Sequence, residues 1–144
     1  MTAASIRRPV GATFLAFLLG WLGIAGVMNS FVWWTLPSEF VAQTSPTLQS
    51  ALLAIRTPTM STIALAYGLS ALASCVGIWR MRPWMRHAMS CWVTSVGAFC
   101  VYMLIAMPPK PVTLLAELAF ILPLGFLVAA LWLYVARLSE RAAL

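Results

Sequence analysis

The stretch VGATFLAFLLGWLGIAGVMNSFVWW, Val10 to Trp34, carries no charged side chain over 25 residues. At about 1.5 Å of rise per residue it makes a helix of roughly 37 Å, enough to cross the roughly 30 Å hydrocarbon core of a bilayer. Helix is the form such a run must take in lipid, where every backbone N–H and C=O needs a partner within the segment. Arg7, Arg8 and Pro9 precede it and Trp33 and Trp34 close it. A basic start also suits a secretory leader, but the run exceeds the roughly 7 to 15 apolar residues of a leader's core. It also ends on two indoles rather than a small-x-small cleavage pattern. A retained membrane span is the expectation.

Three further runs repeat the pattern outward from the first. They lie at about 58–79, 84–107 and 112–136. Four spans of about 20 residues with short connections use nearly all of the chain, so residues 1–144 are read as a single membrane domain. Composition agrees: 62% of residues are hydrophobic and 8% charged, too little polar surface for a water-soluble domain of this size. The expected fold is an all-α integral membrane protein, an up-down bundle of four transmembrane helices.

The connections are legible from their breakers. Thr35 to Thr44 is polar and holds Pro37 and Glu39. Ser45 followed by Pro46 resembles an N-cap with proline at the first helical position. Leu48, Ala51, Leu52 and Ile55 then recur at helical spacing. The segment 46–56 is either a short interfacial helix or an extension of the second span, and the sequence does not choose between them. Arg80-Met81-Arg82-Pro83 makes a tight connector between spans two and three. Pro108, Pro109 and Pro111 stiffen the turn before span four, and Pro123 interrupts that span's hydrogen-bond ladder at Ala119.

Orientation follows from the basic residues. Arg7, Arg8, Arg80, Arg82, Arg86, Arg137 and Arg141 fall on one side, and Arg56 and Lys110 on the other. The richer side belongs in the cytoplasm, so both termini are expected there. Trp33 and Trp34 mark the outer boundary and Trp79, Trp84 and Trp132 the inner one, while Trp21 falls near mid-span. The net charge of +6 raises the question of nucleic acid. Its clustering beside apolar runs suits lipid headgroups instead, and no nucleic-acid partner is expected.

The Arg8-Pro9-Val10-Gly11 start and the hairpin from Gly77 to Arg86, with its Trp79-Arg80-Met81-Arg82-Pro83-Trp84 centre, resemble small four-helix inner-membrane proteins of bacteria, most of them uncharacterised. The resemblance covers about fifteen residues and implies a bacterial inner-membrane location. It carries over no catalytic residues.

Polar residues inside spans are costly unless paired, and so point to sites. Asn29, Ser61, Thr62, Tyr102 and Glu117 each lie three to five residues inside the outer end of a span, roughly 5 to 8 Å below the boundary. Two readings apply to this polar layer. It is an outward-facing site with Glu117 as a proton or cation acceptor beside Asn29 and Tyr102, or it is a set of ties between helices with Glu117 at a wet helix start. The second is favoured, because all five lie within reach of interfacial water.

A second candidate cluster is Arg80, Arg82, Arg86 and His87, which suits an anionic lipid headgroup or an acidic partner loop, or serves topology alone. Small residues at spacing four, Ala16 with Gly20, Gly26 with Ser30 and Gly125 with Ala129, mark close helix approach. So do Ala66, Ser70, Ala73, Ser74 and Gly77 on the second span, and Ser90, Thr94, Gly97 and Ala98 on the third. Packing of the chain's own bundle is the expected use.

Enzyme classes are excluded one by one. A single histidine cannot supply a bis-histidine haem site, and Cys75, Cys91 and Cys100 include no C-x-x-C pair. His87 and Ser90 share a helix face without an orienting acid or oxyanion segment. No metal-ligand spacing or phosphate loop occurs, so no cofactor is expected. What remains is a non-enzymatic accessory or scaffolding subunit of an inner-membrane complex. The alternatives are a small oligomeric transporter or channel built on the polar layer, and an immunity-type protein against a pore-forming toxin. Expected partners are the bilayer and a membrane protein or a second copy of the chain.

Overall fold

The computed structural model describes the backbone of residues 9–35, 39, 53, 57–106 and 111–143, and their side chains except at 33, 111–118, 120 and 142–143. It is all-α: α1 (Val10–Thr35), α2 (Pro58–Trp79), α3 (Met85–Ala106) and α4 (Pro111–Ala143), with no strand among the described residues. All four are long and apolar enough to cross a membrane. Three of the four expected spans match to within one residue at each end. The fourth helix begins one residue earlier than expected and runs seven residues further, to Ala143, continuing through Pro123. Segment 46–56 lies outside the described residues, apart from Leu53, which is helical and exposed.

Helices pack mainly against their neighbours in sequence, α1 on α2, α2 on α3, and α3 on α4. The tightest seam is α1 on α2, and glycine makes it possible. A Cβ on Gly68 would sit 2.6 Å from the Val27 nitrogen and 2.9 Å from the Gly23 carbonyl oxygen. A Cβ on Gly26 would sit 2.9 Å from the Gly68 Cα, and one on Gly23 would sit 2.9 Å from the Leu72 nitrogen. Two backbones therefore touch, which is how helices associate in lipid without a hydrophobic driving force between them. Along α1 the buried face runs Ala12, Ala16, Leu19, Gly23, Gly26 and Ser30, alternating steps of four and three along one stripe.

The sequence reading found Gly26, Ser30 and Ala16 on this seam but placed the α2 contact face partly wrong. Ser74 and Gly77 are buried, whereas Ala66 is exposed and Ser70 and Ala73 are half-buried. Gly68, Ala71 and Ile78 carry the contact instead. On the other helices the expected small-residue packing is kept at Ser90, which is half-buried and accepts the Trp132 indole N–H, whereas Thr94, Gly97, Ala98, Gly125 and Ala129 are exposed. Among the described residues nothing lies within 4 Å of a Cβ built on Gly97 or Gly125. Trp21, near mid-span, is 73% exposed and turns outward.

The connector closes as a Schellman turn. The Met81 N–H donates to the Ile78 carbonyl at 3.1 Å and the Arg82 N–H to the Gly77 carbonyl at 3.0 Å, satisfying two of the carbonyls left open at a helix end. Met81 takes the left-handed conformation there, at φ 48, which costs a non-glycine residue about 1 to 2 kcal/mol. Its side chain packs against the core, offsetting part of that cost. Gly77 lets α3 approach: a Cβ there would meet the Met85 Cβ at 2.9 Å.

Candidate functional site

Of the five residues expected to form a polar layer, Tyr102 takes a partner from outside the set. Thr57, just before α2, has an extended backbone and accepts the Met60 N–H at 3.2 Å through Oγ1, with proline following at the first helical position. The same Oγ1 lies 2.6 Å from the Tyr102 hydroxyl on α3. One hydroxyl thus caps its own helix and joins it to a neighbour. Thr57 was missed in the sequence, although the Thr57-Pro58 pair is the same cap signal read at Ser45-Pro46.

The other members separate. Thr62 is exposed and its hydroxyl donates back to the Pro58 carbonyl at 2.7 Å. Ser61 is buried, and its Oγ has no hydrogen-bond partner among the described residues. Asn29 is exposed at the edge of a cavity. The side chain of Glu117 lies outside the described residues. The layer therefore yields one defined helix tie, Thr57 to Tyr102.

A double-mutant cycle measures that tie. Tyr102→Phe is expected to cost about 1 kcal/mol of unfolding free energy in detergent micelles. Thr57→Ala should cost more, because it also removes the cap. The two losses are expected to be non-additive by roughly the worth of the shared bond, and full additivity would show that the hydroxyls do not interact.

At the opposite end the structure gathers the basic residues. Arg80, Arg82, Arg86 and His87 are all exposed around the connector, and Arg137 and Arg141 are exposed on the last turns of α4. Two contacts hold α4 beside the hairpin. The Trp132 indole N–H donates to Ser90 Oγ at 3.0 Å, and the Arg86 guanidinium lies over the Trp132 ring at 5.7 Å from its centroid. Ser90 is thus a positioning partner for Trp132, and it donates its own proton to the Arg86 carbonyl at 3.0 Å.

Between these ends lies a feature not seen in the sequence. A cavity of about 540 Å³ opens among all four helices, within the size range of small-molecule sites. Leu22 and Gly26 of α1, Tyr67 of α2, Trp92 and Phe99 of α3 and Leu127 and Leu131 of α4 are among its walls. Trp92 is 4% exposed, and its indole nitrogen has no hydrogen-bond partner among the described residues. Tyr67 packs against it with ring centroids 5.9 Å apart. The phenol is close enough to interact with the indole, but no well-formed bond reaches Nε1.

Trp92 is not among the residues that the sequence singles out. A mid-span tryptophan on a helix with no polar face carries no local signal of burial. Among the described residues no group of three His, Cys, Asp or Glu could hold a metal. No family model, no curated protein and no solved structure matches the chain.

Proposed function

We propose that this chain is a non-enzymatic accessory subunit of a membrane complex. In this reading it sits in a bacterial inner membrane with both termini and the arginine hairpin in the cytoplasm, as the seven-to-two division of basic residues favours. The observation that carries the proposal is the outward presentation of small residues. Gly97 with Ala98 on α3, and Gly125 with Ala129 on α4, are exposed among the described residues, and no described atom lies within 4 Å of a Cβ built on either glycine. Membrane helix interfaces are enriched in such residues because they let a second backbone approach. α4 in particular buries only Val128, Val135, Leu138 and Ser139 among its described side chains, leaving most of its circumference for a neighbour.

The test uses the space around those glycines. Since no described atom lies within 4 Å of either Cβ position, Gly97→Leu and Gly125→Leu should leave the melting temperature of the isolated protein unchanged. Extracted in mild detergent, the wild type is expected to migrate in a complex larger than one chain, and the double variant as a monomer. A wild type that is monomeric under these conditions, or a complex indifferent to both substitutions, rejects the reading.

A further inference from the structure

The four-helix cavity is long rather than round. On α1 its wall runs from Leu18 to Asn29 and on α3 from Trp92 to Met103, about 16 Å along the helix axis in each case. One leaflet of a bilayer is about 15 Å of hydrocarbon deep, so the cavity has the length of a single acyl chain. A helix of that length, about 10 Å across, would need roughly 1,200 Å³. The cavity's volume of about 540 Å³ takes a chain and not a helix. Leu18, Phe99 and Leu127 line the cavity and are also 38%, 39% and 57% exposed, so a chain enters sideways from the bilayer.

One end of this cavity is polar. Asn29 stands there, exposed, and its carboxamide makes no hydrogen bond among the described residues. The apolar run of α1 is about 37 Å long and overshoots the roughly 30 Å core by about 4 Å at each end. Five residues inside Trp34, Asn29 therefore sits about 4 Å beneath the core's edge, within a side chain's reach of the glycerol esters. An ester carbonyl only accepts, and the amide offers it two N–H donors. No charged side chain lines the cavity, so a phosphate stays outside it, in water. We infer that the cavity binds one acyl chain of a membrane glycerolipid, with the ester carbonyl on the Asn29 amide and the tail tip between Trp92 and Val128.

The test uses the full chain in nanodiscs of ether-linked phosphatidylcholine, which lacks the carbonyl, with a trace of ester-linked phosphatidylcholine carrying a diazirine as photoprobe. A diazirine at the tail tip is expected to label Trp92 and Val128, and one beside the ester to label Asn29 and Met103. Replacing the ether lipid with its ester counterpart should lower labelling at Trp92 about fivefold, the worth of one neutral hydrogen bond. In Asn29→Leu that difference should vanish. Val128→Trp, which fills the cavity from α4, should abolish labelling at Trp92. The melting temperature of each variant reports folding, and if Val128→Trp does not fold, the contrast between ester and ether lipid in the wild type and in Asn29→Leu decides. Labelling confined to exposed residues such as Ile105 and Phe126, or labelling in the reverse order along the cavity, would overturn the inference. Equal competition by the two lipids in the wild type would mean that any apolar chain fills the space, and would overturn it equally.

Discussion

Gly68→Val is expected to destabilise the bundle by about 3 kcal/mol, at the upper end of what overpacking costs. The added carbons have nowhere to go, because the nearest atoms include the Val27 nitrogen and the Gly23 carbonyl oxygen. Side chains can rotate away from a clash, whereas two apposed backbones can only separate, and separation loses contacts along the whole α1 and α2 seam. Reversible unfolding in mixed micelles measures the loss. Gly97→Val is the matched control, with open space around its Cβ. Similar midpoints for the two variants would show that the close approach at Gly68 contributes nothing to stability.

Removing the three hairpin arginines together should have the second large effect. Arg80, Arg82 and Arg86 are exposed at one end of the bundle, and near an anionic leaflet each is worth about 1 kcal/mol, so the triple glutamine variant loses about 3 kcal/mol of attraction before salt screening. Arg86 also loses its place over the Trp132 ring, which loosens α4. Flotation with vesicles containing anionic lipid reads retention of that lipid. Cysteine labelling from each side reads orientation, with the 80–87 connector expected to react only from the cytoplasm and the first loop only from outside. Unchanged lipid retention with unchanged orientation would leave the arginines without either role. Labelling of the connector from outside in the wild type would reverse the proposed topology.

The spans were legible because their signal is one-dimensional. A run of apolar residues bounded by arginine or proline has few other outcomes, and the helix bounds at Pro58 and Trp79 follow from that proline and from Arg80. Which face of each helix meets a neighbour was much harder to see. In a soluble bundle the polar side announces the buried one, but here lipid and core are both apolar, so the helices are hydrophobic all round. Small residues were therefore the only guide, and they served two uses that look alike in sequence. Gly23, Gly26 and Gly68 sit in the internal seam, while Gly97 and Gly125 face outward.

The candidate sites show the same division. Tyr102 was found because a phenol near a span end needs a partner, and the structure gives it Thr57. The cavity was invisible because its wall is mostly apolar and is contributed by four separate helices. Trp92 becomes informative only when the surrounding helices are placed around it. A missing acceptor is a property of three-dimensional arrangement that no spacing rule encodes.

The order of contacts bears on how the protein is made. Each helix packs chiefly on the one synthesised just before it, so every segment leaving the ribosome meets its main partner already in the bilayer. α1 and α2 complete their glycine seam before α3 exists, and the Schellman turn at Met81 sets α3 antiparallel to α2 as it enters. The close approach of Gly11 to the Tyr134 hydroxyl, which brings α4 to α1, forms only once α4 has been made. Assembly can thus proceed as a vectorial zipper with little searching, in which α4, packed most lightly on its neighbour, docks last.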